Sequence, residues 1–154
     1  MLDKDCFTPL CRAIFEEHFE IAKILVCNKK VDVNLGGGIY GSPLHLAVLR
    51  LEIRLVEALL LRGADPNKTD YEGKTPLHFI MNLFSKNGTA SNAIIDLLVI
   101  HGSQVNKKDS DNWTPLHTAI RMNQELGVEA VIRLNSQICV QRELPYFEIN
   151  LTGG

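Results

Sequence analysis

This chain has almost no net charge and no long apolar run, and each shortage removes a class of function. Sixteen basic residues face eighteen acidic ones, for a net charge of −2. That leaves no basic excess to neutralise phosphates, so nucleic acid is not expected as a partner. No apolar stretch approaches the roughly 18–20 residues that cross a bilayer, so no membrane association is expected. The opening Met1-Leu2-Asp3-Lys4-Asp5 is charged and lacks the apolar core of a signal peptide, which points to the cytoplasm, with the nucleus as a further possibility. Cys6, Cys11, Cys27 and Cys139 form no CxxC pair and no regular framework. They read as reduced, mostly buried thiols. Hydrophobic residues at 45% and charged residues at 22% are the proportions of a globular protein, and 154 residues make one domain.

What the chain has in abundance is one phrase. It reads Thr8-Pro9-Leu10-Cys11, Ser42-Pro43-Leu44-His45, Thr75-Pro76-Leu77-His78 and Thr114-Pro115-Leu116-His117, with the prolines 34, 33 and 39 residues apart. The second occurrence opens the cleanest unit. Ser42 is an N-cap and Pro43 occupies the first helical position, where its missing N–H costs nothing. Leu44, Ala47 and Val48 fall on one helical face, and Leu55, Val56, Leu59 and Leu60 mark a second helix. Gly63 closes that helix in the left-handed conformation. Asp65-Pro66-Asn67 and Asp70-Tyr71-Glu72-Gly73 then turn the chain out into a hairpin. A period near 33 carrying T-P-L-H resembles the ankyrin-repeat family over roughly residues 3–135. The expectation is an all-α solenoid of stacked helix-turn-helix pairs with protruding hairpin loops. Neither face of one pair can be buried without a neighbour, so stability arises between adjacent units.

On that ruler the repeats lie at about 3–34, 37–67, 70–106 and 109–135, within a single domain over 1–154. Residues 136–154 form an extension leading toward a further repeat, because Phe147-Glu148-Ile149-Asn150-Leu151-Thr152-Gly153-Gly154 echoes Val31-Asp32-Val33-Asn34-Leu35-Gly36-Gly37-Gly38. Four irregularities carry expectations. Cys11 stands in the histidine position, so the first repeat is expected to lack that residue's polar bond. Ile80 replaces the small residue held by Ala13, Ala47 and Ala119, which predicts wider or shifted packing there. Asn135 replaces the closing glycine, asparagine being the next-best left-handed residue. About six extra residues fall within 84–92, with Asn87-Gly88 as the bend and Ser91 or Asn92 as the cap of the next helix. This insertion reads as a tolerated surface loop, or else as a bulge that contacts a partner.

Catalytic, metal and cofactor chemistry is not expected. His45, His78 and His117 recur at matched positions, but equivalent positions in stacked helices stand about 8–10 Å apart, too far to share a zinc ion held at about 2.0–2.1 Å. The resemblance implies that these histidines bond to the Thr or Ser of the phrase and to nearby backbone. Gly36-Gly37-Gly38 lacks the downstream Gly-Lys-Ser/Thr of a phosphate loop. No nucleophile–base pair stands out, so the chain is not expected to be an enzyme.

The resemblance further implies a concave face, built from hairpin tips and the exposed side of the inner helices, as the site for a protein partner bound by a monomer. Along it lie Phe7, Tyr40, Tyr71, Glu72, Asp111 and Trp113 on the hairpins, and Phe15, Arg50, Asn82, Arg121 and Met122 on the inner helices. Ile39, Leu49, Leu83 and Lys74 belong to the same line. Aromatic residues, Met and Arg are enriched at the centres of interfaces, which singles out Tyr71, Trp113, Arg50 and Arg121. Trp113 suits packing between hairpins as well as direct contact, and the two arginines suit a solvated role as well as recognition. The function expected is a non-enzymatic scaffold or adaptor. The alternative is a regulatory or substrate-recruiting segment of a larger enzyme or channel.

Overall fold

A computed structural model describes residues 7–36, 38–83 and 88–143, the last seven of these as backbone only. Eight α-helices occur among the described residues, in four pairs: α1 (Pro9–Phe15) with α2 (Phe19–Cys27), α3 (Pro43–Leu49) with α4 (Ile53–Leu61), α5 (Pro76–Leu83) with α6 (Gly88–Ile100), and α7 (Pro115–Arg121) with α8 (Glu125–Glu143). The inner helices α1, α3, α5 and α7 pack in a row, and α2, α4 and α6 form a second row behind them. This is the all-α stack of helix pairs expected from the repeat.

The sequence phrase starts each inner helix. Thr8, Ser42 and Thr114 hold extended backbone at the N-cap, each followed by proline at the first helical position. The Thr8 hydroxyl accepts the Cys11 N–H at 3.2 Å. Helices α1, α3 and α7 end in a left-handed residue that is not glycine: Glu17 (φ 61°), Leu51 (φ 56°) and Asn123 (φ 52°). Directly after each, a backbone N–H closes the turn, His18 to the Ala13 carbonyl, Glu52 to that of Ala47 and Gln124 to that of Ala119. Non-glycine residues hold this conformation at a cost of about 1–2 kcal/mol, so surrounding packing must impose it.

The outer helices close as the sequence implies at Gly63 (φ 85°) and Gly102 (φ 91°). Beyond them an asparagine ladder stitches the loops. Asn34 donates to the Gly63 carbonyl at 3.0 Å and accepts the Asp65 N–H at 2.8 Å. Asn67 repeats this one unit on, with the Gly102 carbonyl at 2.8 Å and the Gln104 N–H at 2.7 Å. The core between the rows is continuous, and Leu10, Ile14, Leu44, Leu55, Leu59, Leu77, Met81, Ile94 and Leu98 are fully enclosed. Each large aliphatic side chain buried in this way contributes about 1.5–3 kcal/mol.

Two expectations are corrected. Asn135 does not close the fourth pair, since α8 runs on through it to Glu143. Asn135 instead accepts the Asn106 side-chain amide at 3.0 Å, in the place where a glycine carbonyl serves the earlier rungs. Ser91 and Asn92 do not cap α6, because the helix already begins at Gly88. Part of the insertion therefore lengthens this outer helix to 13 residues, against nine in α4, and carries Ser91 into the core with its hydroxyl unpartnered. Cys11 takes a different polar bond from that of the histidines: its thiol donates to the Gly36 carbonyl, with the Leu35 carbonyl 3.8 Å away. Ile80 is fully buried in α5, which packs on both α3 and α7. The charged opening Met1–Asp5, the insertion residues 84–87, Gly37, Cys6 and the echo at 147–154 lie outside the described residues, as does the side chain of Cys139.

Candidate protein-binding face

The recurring histidines hold the hairpins on the helices. His45 Nε2 stands 3.0 Å from the Lys74 carbonyl, and His78 Nε2 stands 3.0 Å from that of Trp113. A carbonyl only accepts, so Nε2 carries the proton and Nδ1 is an acceptor. Nδ1 then takes the backbone N–H of Ser42 at 3.0 Å and of Thr75 at 3.1 Å, and the neighbouring hydroxyls lie 2.9 Å away. Burial of the ring lowers the His45 pKa to about 4 and lowers that of His78 as well. Both rings are neutral at pH 7, as this bonding requires.

The second and third of the hairpin tips, at 70–74 and 109–113, are each shaped by an aspartate. Asp70 Oδ1 accepts the N–H groups of Glu72 (2.9 Å) and Lys74 (2.8 Å), and Asp109 Oδ1 accepts those of Asp111 (3.0 Å) and Trp113 (2.8 Å). Partial burial raises the Asp70 pKa against the pull of these N–H groups. The two tips stack directly, with Ser110 N–H donating to the Glu72 carbonyl at 3.0 Å. A Cβ on Gly73 would stand 2.8 Å from the Ser110 nitrogen, and its φ is 76°. Both the approach and the conformation therefore require glycine.

Between tips and inner helices three grooves run in series. The first, about 370 Å³, is lined by Phe7, Arg12, Phe15, Ile39 and Tyr40. The second, about 230 Å³, lies between Ile39, Tyr40, Leu49, Phe79 and Leu83, with a polar lip of Asp70, Tyr71, Glu72, Lys74 and Asn82. The third is a cleft of about 50 Å³ bounded by Lys74, Asn82, Asp109, Asp111, Thr118 and the group Trp113, Arg121 and Met122. Shared walls make them one track: Ile39 and Tyr40 belong to the first two, Lys74 and Asn82 to the last two.

The residues named from sequence divide along this track. Tyr71 is 69% exposed, and its hydroxyl donates to Glu72 at 2.9 Å while Glu72 also holds Lys74. Asn82, Asp111, Arg121 and Met122 are exposed, and Trp113 is half-buried beneath the Arg121 guanidinium, 5.1 Å from its ring. Phe15 and Tyr40 are half-buried in an aromatic cluster. Two of the named residues also serve packing within the stack. Phe7 is buried, its ring stacked on Tyr40 and tilted against Phe15, so it supports the face from below. Arg50 is a clamp between helix pairs: it donates to the Phe15 carbonyl at 2.6 Å, pairs with Glu17 at 3.0 Å and lies over the Phe15 ring. Phe79, which sequence reasoning passed over, walls the central groove and meets His45 edge-on at 5.1 Å. Its signal was an aromatic where the other units carry Arg12, Leu46 and Thr118.

Among the described residues no group of three His, Cys, Asp or Glu is placed to hold a metal ion, and no helix is long and apolar enough to cross a membrane.

Comparison with known proteins agrees with the geometry. The family model "Ankyrin repeats (3 copies)" matches residues 44–142, and "Ankyrin repeat" matches residues 5–37. NF-kappa-B inhibitor alpha of Sus scrofa is 38% identical over 79 residues, covering 49% of this chain and 24% of that protein. The nuclear factor NF-kappa-B p105 subunit of Gallus gallus is 33% identical over 95 residues, covering 53% of this chain and 10% of that protein. Palmitoyltransferase ZDHHC13 of Homo sapiens is 32% identical over 76 residues, covering 49% and 12%. The chain thus spans a quarter or less of the length of these curated relatives. Ankyrin repeats are protein-interaction modules, and with two family models and four stacked helix pairs in agreement, this chain belongs to the ankyrin-repeat family.

Proposed function

We propose that this chain is a non-enzymatic scaffold or adaptor that binds a protein partner along its concave track. The observation that carries the reading is the continuity of three grooves over the hairpin–inner-helix side, with Tyr71 exposed at the central lip and half-buried Trp113 beside exposed Arg121 and Met122 at the end. Such a surface has an apolar floor, a polar rim and rigid aromatic anchors, the anatomy of a protein interface. The similarity to an inhibitor named for NF-kappa-B fits a module that acts by holding another protein. In this reading the chain works as a monomer in the cytoplasm, without nucleic acid, membrane or cofactor.

The test is affinity capture from a cell extract with mass spectrometry, comparing the native chain with Tyr71→Ala/Trp113→Ala/Arg121→Ala whose helicity is checked by circular dichroism. Loss of the native chain's partner is expected. Unchanged recovery by the folded triple variant would overturn the assignment of this face.

A second reading has one specific support. A palmitoyltransferase matches over 76 residues, so the same face would recruit a substrate or regulate chemistry carried elsewhere in a larger polypeptide. Mass spectrometry of the intact gene product in its native cell decides between the two.

A further inference from the structure

The fourth helix pair leaves uncovered a surface that the earlier pairs bury. Leu44 and Val48 of α3, and Leu77 and Met81 of α5, are fully enclosed where the next inner helix packs. The matched residues of α7 are Leu116, half-buried, and Ile120, 60% exposed. In the outer row Val56 and Leu60 of α4 are buried, whereas the matched Val128 of α8 is half-buried and Ile132 is 55% exposed. His117 is exposed as well, and its Nε2 meets no carbonyl among the described residues, unlike that of His45 or His78. A terminal unit that faces only water carries a polar outer face. Here Ile120 and Val128 line a groove of about 380 Å³ instead, and none of its residues belongs to the concave track.

We infer that this groove is a second docking site, and that it takes an amphipathic helix of a partner protein whose apolar stripe is edged with arginine or lysine.

Shape selects a helix. Leu116 and Ile120 on α7, and Val128 and Ile132 on α8, are pairs spaced by four residues, so each helix presents an apolar ridge. Ridges of this kind receive another helix between them, and the matched residues of α3 and α5 do so within the stack. A partner helix would enter with anchors three or four residues apart.

Charge selects the edge. Glu125 and Glu129 lie one turn apart on α8 at the lip of the groove, both exposed and neither in an ion pair among the described residues. The preceding junction shows what meets this position: Asp96 of α6, which matches Glu129, pairs at 3.3 Å with Arg133 of the following unit. The cations nearest in sequence are engaged elsewhere, Arg133 by Asp96 and Arg121 over the Trp113 ring. Glu129 therefore stands where the stack itself uses an acid to receive a cation from the next helix. Such a charge steers and orients a partner more than it tightens binding.

The same charge disfavours the chain's own surfaces as occupants. A two-fold dimer through this end would oppose two acidic lips. A second copy stacked head to tail would set Cys27, the residue of α2 that matches Arg133, against Glu129, with Lys23 already held by Glu20. Residues 144–154 contain no Lys or Arg.

The experiment pans a display library of stapled single helices, randomised along one face, on the purified chain and measures enriched peptides by fluorescence polarisation. Apolar residues three or four apart with Arg or Lys beside them are expected. Ile120→Asp and Glu129→Lys, each checked for native helicity by circular dichroism, should weaken these peptides about tenfold or more. Glutamate in place of the basic residue should restore binding to Glu129→Lys. Tyr71→Ala/Trp113→Ala/Arg121→Ala should leave binding unchanged. Absence of enriched helices, acidic or uncharged edges, or insensitivity to Ile120→Asp and Glu129→Lys would overturn the inference, as would loss of binding on the triple variant alone. Sedimentation of a dimer that Ile120→Asp disperses would overturn it in favour of a second copy. Helix binding that appears only in Phe147→Asp/Ile149→Asp would overturn it in favour of the chain's own 144–154 segment.

Discussion

His45 Nε2 lies 3.0 Å from the carbonyl oxygen of Lys74, 29 residues further along the chain. This one bond ties the start of α3 to the base of the next hairpin and holds a proton on Nε2, while burial and the Ser42 N–H donated to Nδ1 keep the ring neutral. Protonating Nδ1 would destroy the acceptor that the Ser42 N–H and hydroxyl share.

That linkage makes stability depend on pH with a definite sign. The His45 pKa is lowered by burial from 6.5 to about 4 in the folded chain. Above about pH 6.5 neither state binds the proton and the full stability is present. As pH falls from there toward 4, the unfolded chain takes up a proton that the folded chain refuses, and stability declines by about 3 kcal/mol. His78, lowered for the same reason, adds loss of the same sign. Urea midpoints across this range should fall with acidity, and His45→Leu should flatten the slope while lowering the plateau. A midpoint independent of pH between 7 and about 4 would contradict the assignment.

Two glycines of nearly equal φ should respond differently to alanine. Around Gly63 a Cβ meets nothing within 4 Å, so Gly63→Ala costs only the left-handed conformation, about 1 kcal/mol. At Gly73 the same Cβ meets the Ser110 backbone nitrogen at 2.8 Å. Gly73→Ala should therefore cost at least twice as much, and it should also weaken partner binding by parting the two tips. Equal losses in chemical denaturation would refute the hairpin stack.

Ser91 is enclosed in α6 with its hydroxyl unpartnered. An unsatisfied buried hydroxyl carries a penalty of about 1–3 kcal/mol, and alanine is the stronger helix former. Ser91→Ala should raise stability by about 1 kcal/mol in thermal unfolding. Ser103→Ala, at a loop position, is the comparison for the same orphaned group without the helix gain.

Arg50→Ala should loosen the first helix pair without melting the stack. It removes a charge-assisted bond to the Phe15 carbonyl and the pair with Glu17, whose left-handed turn it braces. Such bonds contribute about 1.5–3 kcal/mol, less here because the guanidinium is partly solvated. Hydrogen exchange should accelerate in α1 and α2 and stay slow in α5 and α6.

Much of this architecture was legible without coordinates. The Thr/Ser-Pro-Leu phrase specifies where an inner helix begins because proline and a capping hydroxyl act within one turn. Gly63 and Gly102 close outer helices for an equally local reason. Asn135 and Ser91 misled because the same local logic was applied where packing along α8 and α6 prevails, so a helix continues through a good terminator and starts before a good cap. Cys11 bonds elsewhere than the histidines do: its thiol reaches the distant Leu35–Gly36 segment, whereas His45 and His78 reach the carbonyl directly before the next phrase.

The candidate face was legible as a line of positions, since stacking brings residues one period apart to the same height. Which of those positions are exposed was not. Phe7 and Arg50 carry the residue types of anchors, yet Phe7 is buried under Tyr40 and Arg50 is consumed by Phe15 and Glu17, while Phe79 enters the groove wall from a position that reads as core. By itself the sequence determined the period, the helix starts and the stacked all-α family, because those depend on contacts within a turn or on a repeat that can be counted. Tertiary structure alone decided which aromatics and arginines remain free for a partner, because exposure and ion pairing depend on what the neighbouring unit presents across the junction.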